Sequence, residues 1–378
     1  MYVERGWRGG AAAAARPGRL ASVCFVAPHA WPVLSGDRQL PVVGGAEVQQ
    51  AILARLFARH DHRVSMICLD YGQPDGAVVD GITVRKMFAA QDGVPGLRFV
   101  HPRLTLLWRA LHAVGADIYY YRSAAVWAGV AAEFCRRNGR KFVYAAASDK
   151  DFDADQGRQI RNARDRWLFR RGVSNAHALV AQNARQRAAC KATYGRDAVV
   201  IPSCYVPPPA ANAERNLVLW VGTVHAGKQP ELLFELARSL PHRRFVMIGG
   251  PGPDHAFYEA IRARAGAVPN LEFKGFLPLA EVERWFDRAC VLVNTSTYEG
   301  MPNVFLQAWA RGVPTVATVD VESPVHRVGK SIEELKDLVE RAIADPAQGR
   351  ACREYFERTH SSAGVLAHYQ RLFSELVQ

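Results

Sequence analysis

No Cys-x-x-Cys pair occurs among the seven cysteines, Cys24, Cys68, Cys135, Cys190, Cys204, Cys290 and Cys352. Their odd number and scattered spacing argue against a disulfide framework and a zinc site, and for a reducing compartment. They read as small buried hydrophobes. No apolar run approaches the roughly 18 residues of a membrane-spanning helix. Residues 1–19 are rich in Gly, Ala and Arg, and Ala11 to Ala15 is too short an apolar core for a signal peptide. That stretch reads as a disordered leader. No G-x-G-x-x-G dinucleotide fingerprint stands in the right context. The second half also lacks net charge. Residues 1–210 hold 29 Lys+Arg against 16 Asp+Glu, a net of +13, whereas residues 211–378 hold 19 against 20, a net of −1. Such asymmetry points to an anionic partner for the first half: a lipid surface, a phosphate-bearing substrate or nucleic acid. A solvated basic surface that aids solubility accounts for it equally well. No nucleic-acid-binding module is recognised, and aromatics are sparse in the basic stretch, so no nucleic-acid partner is expected.

What is present is α/β alternation in two blocks. Ala21 to Ala27 is a strand candidate, Pro28 to Gly45 a loop, Ala46 to His60 a helix with one apolar face, and Arg63 to Leu69 a strand. This opens a βαβ unit. Further strands are expected at Ile118–Tyr121, Phe142–Ala145, Ala178–Val180 and Val199–Ile201, with helical stretches between most of them. The triple proline in Val206 to Asn216 marks a semi-rigid linker. The pattern then restarts. Strands are expected at Leu217–Val221, Arg244–Ile248, Leu271–Phe273, around Val291 and at Thr315–Ala317. Helices are expected at Pro230–Ser239, His255–Ala265, Leu279–Arg288, from Asn303, at Ser331–Ala344 and at Gln348–Leu376. The expected architecture is two Rossmann-like, doubly wound α/β domains facing across a cleft, 20–205 and 217–361, joined by 206–216. A C-terminal helix about 362–378 is expected to pack back on the first domain. Ligands in such sheets bind at strand C-terminal ends.

The richest local motif follows the Val291 strand: Tyr298-Glu299-Gly300-Met301-Pro302-Asn303-Val304-Phe305-Leu306-Gln307. Pro302 suits a first helical turn, and Gly312 followed by Pro314 is a stop signal. The helix N-terminus offers free N–H groups and a positive dipole end, a seat for phosphate beside the Glu299 carboxylate. Gly44-Gly45-Ala46-Glu47 offers a second close backbone approach before a helix. By itself, that pair reads as a plain turn. Lys228, on the loop after the Leu217 strand, could neutralise charge on a leaving diphosphate. A surface lysine is the simpler reading of it alone.

Together these motifs, with Ala310-Arg311-Gly312-Val313-Pro314, resemble the large retaining glycosyltransferase family 4, in the same order and spacing from about Ser22 onward. The resemblance implies the GT-B fold and a nucleotide-sugar donor, UDP- or GDP-linked, as substrate, with no resident cofactor and no metal. It implies that Glu299 contacts donor-sugar hydroxyls and that the Gly300-Met301-Pro302-Asn303-Val304 backbone meets the sugar and distal phosphate through its N–H groups, Pro302 having none. Lys228 would stabilise the departing diphosphate, Gly44 and Gly45 would lie against it, and Gly275-Phe276 would flank the nucleobase. Four departures stand out. Gln307 replaces a glutamate that contacts ribose, but it can still hydrogen-bond. Thr223 replaces an arginine of a basic pair, with His225 close enough to substitute in part. Arg122 follows Ile118–Tyr121 where a histidine often stands; it could clamp a phosphate but not titrate. Val319 to Lys330 is shorter than the usual segment over the donor phosphates.

The resemblance implies retaining transfer, and a front-face route fits because no carboxylate nucleophile is evident. The acceptor is expected on the first domain, beside Arg122 and Asp149. Arg158, Arg161, Arg164, Arg166, Arg170 and Arg171, or the apolar Leu104–Val114, could rest on an anionic membrane; Leu104–Val114 reads more simply as a core helix. Asp149, Asp151, Asp153 and Asp155 lack the glycine and distal glutamate of a calcium loop. A glycan or lipid-linked acceptor in surface polysaccharide or glycolipid synthesis follows. So does a cytoplasmic location, extending to the inner membrane face. The rival readings are an epimerase of the same fold, a non-catalytic nucleotide-sugar-binding member and, on charge alone, a nucleic-acid-binding protein.

Overall fold

The computed structural model describes residues 20–37, 44–93, 96–97, 99–153, 160–209 and 213–378. The leader 1–19, Arg158 and Asp155 lie outside them, as do residues 210–212 of the linker.

Two sheets organise the chain. The first contains β1 (Val23–Val26), β2 (Val64–Cys68), β3 (Val78–Val79), β4 (Ile82–Lys86), β5 (Ile118–Arg122), β6 (Lys141–Ala145), β7 (Ala178–Ala181) and β8 (Val199–Val200), in the order β3-β4-β2-β1-β5-β6-β7-β8. Every pairing is parallel except β3 with β4. The second contains β9 (Leu217–Val221), β10 (Arg244–Ile248), β11 (Leu271–Phe273), β12 (Ala289–Asn294), β13 (Thr315–Ala317) and β14 (Arg327–Val328), in the order β11-β10-β9-β12-β13-β14, all parallel. Central strands are buried along their length, as in Val23–Val26 and Ile118–Arg122. This is why they read as continuous apolar runs rather than alternating ones. Core lies on both faces of each sheet. The chain order reverses between β1 and β5 in the first sheet and between β9 and β12 in the second. Ligands of such sheets bind at these points.

Several expectations change. A short helix, Trp31–Ser35, lies inside the expected loop. β3 and β4 form a hairpin whose turn, Asp80-Gly81, has φ of +50° and +78°; a primed turn of this type matches strand twist. Pro302 is the N-cap rather than a first-turn residue, and the helix runs Asn303–Ala310. At its far end the Val313 N–H donates to Ala308 O and the Gly312 N–H to Trp309 O, both at 2.9 Å, with Gly312 at φ +65°. The expected helical stretch Gln348–Leu376 is two helices, Pro346–Thr359 and Ser362–Val377, the second beginning where the C-terminal helix about 362–378 was expected. The break at His360-Ser361 is pinned to the inter-sheet segment. His360 Nδ1 lies 2.8 Å from Ser203 O, and Ser361 bridges Tyr205. The last helix returns to the first sheet, where Val365, Leu366, Tyr369 and Phe373 join the core with Phe57 and Tyr120. The helix Thr105–Val114 buries Leu107, Ala110 and Leu111, so the core reading of that stretch holds. Among the described residues, no helix is long and apolar enough to cross a membrane.

Candidate functional site

The loops after β9, β10, β11, β12 and β13 share one edge of the second sheet. Lys228 and Glu299 meet there: the Lys228 ammonium donates to Glu299 Oε1. The same oxygen accepts from Ser296 Oγ (2.7 Å) and Asn294 Nδ2 (3.3 Å). Asn294 Oδ1 in turn accepts from the Ser296 N–H (2.9 Å). Lys228 is held from behind, because its carbonyl accepts from Thr295 Oγ1 (2.6 Å), which itself accepts from Trp220 Nε1 (3.0 Å). The polar run Asn294-Thr295-Ser296 therefore fixes both charged residues. It is a feature that sequence reasoning missed, although a polar triplet directly after a buried strand was a visible signal.

Thr223 is exposed. His225 does not replace the missing arginine charge. Its Nδ1 accepts from the Gly227 N–H (3.2 Å), capping the turn Ala226–Lys228. Burial first, then the Lys228 charge, hold its imidazole below the ordinary histidine range, so it is neutral near pH 7. Gly275 accepts from the Gly249 N–H (2.9 Å), and Phe276, partly exposed, lies against Gly250. These two residues border the same edge as Lys228, since Val224 bridges Pro251.

The Gln307 side chain is buried and donates to Glu283 Oε1 (2.8 Å). Glu283 and Asp287 pair with Arg311 at 2.8 and 2.7 Å, and Tyr205 donates to Glu283 (2.6 Å). Glutamate at 307 would add a third carboxylate to this cluster, whereas the glutamine amide supplies a donor.

The loop Gly300–Val304 touches the first half of the chain. Asn303 Nδ2 donates to Gly45 O (3.1 Å), and Asn303 Oδ1 accepts from Gln49 Nε2 (3.0 Å). A Cβ on Gly300 would lie 3.1 Å from Ala147 O and Ser148 Cα, so only glycine allows this approach without a shift. Lys150 Nζ sits 3.2 Å from the Tyr298 ring centroid. Met301 and Val304 pack on the second sheet's core. Two helix N-termini, at Gly44-Gly45 and at Pro302-Asn303, thus face each other, each with free N–H groups. At the first, the Glu47 carboxylate folds back so that a Cβ on Gly44 would meet it at 2.1 Å.

Behind this contact runs a polar chain along the first sheet's edge. Arg122 donates to Ser203 Oγ (2.9 Å), which donates to Gln182 Oε1 (2.9 Å). Gln186 Oε1 accepts from the Gln182 N–H (2.8 Å), and Gln186 Nε2 donates to Asp149 Oδ1 (2.9 Å). Arg185 ties Asp149 to Asp320 and Glu322. The shortened segment after β13 thus reaches the first half through Arg185. It is internally braced by buried His326, whose Nε2 lies 3.1 Å from Val319 O. A cavity of about 290 Å³ opens beside Arg122 at the β1/β5 reversal, lined by His29, Glu47, Gln50, Tyr121 and Trp127 among others. Among the described residues, no three His, Cys, Asp or Glu side chains cluster to hold a metal.

The fold is GT-B: two parallel α/β sheets with their ligand-binding edges facing each other. Sucrose-phosphate synthase from Thermosynechococcus elongatus superimposes with a TM-score of 0.72 at 18% identity, over 94% of this chain and 99% of that one. The catalytic domain of starch synthase IV from Arabidopsis thaliana, bound to ADP and acarbose, gives 0.68 at 12% identity over 94% and 99%. The family model for glycosyltransferase family 4 matches residues 43–205, and that for glycosyl transferases group 1 matches residues 215–344. The chain belongs to this family of glycosyltransferases. Among curated relatives, it is similar to 2-deoxystreptamine glucosyltransferase of Streptomyces kanamyceticus, 32% identical over 34% of this chain and 38% of that protein. It is also similar to D-inositol 3-phosphate glycosyltransferase of Mycolicibacterium smegmatis, 28% identical over 43% and 42%. The matched stretches span about two-fifths of those relatives' lengths.

Proposed function

We propose that this chain transfers a sugar from a nucleotide sugar to a hydroxyl of a glycan or lipid-linked acceptor, with retention of anomeric configuration and without a metal. The observation that carries this reading is the Lys228–Glu299 pair at the foot of a loop that bonds to Gly45 and Gln49. A donor entering there exchanges the ion pair for its own charges. Glu299 turns to the sugar hydroxyls and Lys228 to the diphosphate, while the two facing helix N-termini supply N–H donors to phosphate oxygens. The acceptor oxygen bonds to the anomeric carbon as the bond from that carbon to the diphosphate oxygen breaks. The acceptor proton passes to the departing phosphate oxygen on the same face. Gln307 acts here as a structural residue, and Gly275-Phe276 lies where it could flank the base. Closure over the site, through contacts such as Lys150–Tyr298, excludes water.

A panel of UDP-, GDP- and ADP-sugars tests the reading. One of them should raise the melting temperature and release its nucleoside diphosphate. The anomeric proton coupling of the product should match the donor's configuration, and EDTA should leave the rate unchanged. An inverted product would overturn the stereochemical part.

Membrane contact belongs to the same reading. Arg161, Arg164, Arg170 and Arg171 are exposed around Trp167, and Arg164 stacks on Phe99 at 3.7 Å. Such a surface gains about 1 kcal/mol per basic residue near an anionic bilayer. Flotation with anionic vesicles at low salt should carry the protein up, and failure to float counts against this part.

A further inference from the structure

Burying a charge without a partner is costly, so a buried cation lacking its anion calls for an explanation. Arg122 is such a cation. It ends β5 at the sheet's reversal point, is only 4% exposed, and forms no ion pair with a described residue. Its donation to Ser203 Oγ leaves Nε without a partner. Asp151, the acid whose field reaches it, is already engaged by the Ala147 N–H (2.7 Å) and Ser148 Oγ (2.8 Å). Gln50, 1% exposed, likewise leaves Oε1 unbonded. Both residues line the same cavity of about 290 Å³. Its lining is aromatic at Phe88, Tyr121 and Trp127 and polar at His29 and Glu47. Arg103 also lines it, partly exposed, with its Nε and one Nη bonded to the carbonyls of Asp92 (3.1 Å) and Ala90. Of the two lining arginines, Arg122 is the buried one, and its Nε has no partner.

The cavity is close to the reaction centre. Glu47 belongs to the first turn of the helix Gly45–Arg59, whose Gly45 carbonyl accepts from Asn303. The geometry points to a cavity that holds a small polar ring bearing an oxyanion, a phosphate ester or a carboxylate, with Arg122 as the residue that selects the acidic acceptor. The aromatic lining takes the ring's apolar face, and Gln50 Oε1 accepts from a ring hydroxyl. Arg122 supplies the charge-assisted bond to the anion. This rests on the glycosyl-transfer reading above, in which the first half holds the acceptor.

The test measures equilibrium binding to the purified full chain. The probes are glucose 6-phosphate, myo-inositol 1-phosphate and glucuronate, set against neutral glucose and myo-inositol, with UDP and GDP as donor-side controls. The acidic probes should bind at least about tenfold tighter than their neutral parents. Arg122→Gln should erase that difference while shifting UDP or GDP affinity less than about twofold, and Arg122→Lys should restore part of it. Equal binding of acidic and neutral probes to the unaltered chain would overturn the assignment. So would an Arg122→Gln variant that loses acidic, neutral and nucleotide ligands alike. If that variant does not fold, the acidic-to-neutral ratio of the unaltered chain decides. Absence of UDP and GDP binding, with acidic probes still bound, would fault the transfer reading and not this one. Vesicles containing phosphatidylinositol, run beside soluble myo-inositol 1-phosphate, tell a lipid headgroup from a free phosphate.

Discussion

Arg311 and Arg122 are buried to nearly the same depth, 5% and 4% exposed, and they meet opposite surroundings. Arg311, in the second half, is paired with Glu283 and Asp287 and also donates to Gln307 O. Arg122, in the first half, lines a cavity and has no partner for its Nε. The second half thus satisfies its buried charges internally, down to the Lys228–Glu299 pair, while the first half leaves a charge for something that arrives. The difference separates a structural arginine from one available to a ligand, although the two look alike in sequence.

Mutation should make that contrast measurable. Arg311→Met strands two carboxylates and should cost about 3–5 kcal/mol in urea unfolding. Arg122→Met strands none and should stay within about 1 kcal/mol of the unaltered chain. Equal losses would erase the distinction. Lys228→Ala should lower kcat about a hundredfold, equivalent to about 2.7 kcal/mol, if the lysine leaves Glu299 for the departing diphosphate. An unchanged turnover would make the pair structural, like Arg311. His360, between the two sheets, is an intermediate case: Nδ1 is bonded and Nε2 is not. Burial lowers its pKa from 6.5 to about 4. The unfolded chain therefore takes up the proton first, so stability is full above pH 6.5, falls as pH drops toward 4 and levels below that. The loss at pH 5 should be on the order of 2 kcal/mol. Urea midpoints at pH 7.5 and 5 should converge by that amount in His360→Gln; an unaltered pH slope would remove His360 as its source. Gln307→Ala should cost about 1 kcal/mol in stability and leave the donor KM within about twofold. A tenfold rise in KM would put Gln307 back at the ribose.

Much of this was legible in the residues. Buried parallel strands carry continuous apolar runs, so Leu217–Val221 and Arg244–Ile248 stand out with their bounds intact. The β3–β4 hairpin was missed although Asp80-Gly81 between Val79 and Ile82 carries the turn chemistry. Helical periodicity continues on both sides of His360, so the stretch Gln348–Leu376 reads as continuous, and the start of the last helix near 362 is fixed by a long-range bridge from Ser361 to Tyr205. In the site, Glu299, Asn303 and Lys228 follow from local motif and order. The direction of Gln307 does not, because it is set by Glu283, which lies 24 residues away in sequence. The orphaned Nε of Arg122 was equally hidden: a sequence shows that a charge is present, but not whether it has a partner.

On the proposed reading, Lys228 and Glu299 form one side of a nucleotide-sugar transfer site. Release of nucleoside diphosphate from a UDP-, GDP- and ADP-sugar panel by the purified chain, beside Glu299→Ala, tests it most directly. At least one donor should be turned over, and Glu299→Ala should abolish that release. Release that persists undiminished in Glu299→Ala, or no binding and no release with any donor, would contradict that reading.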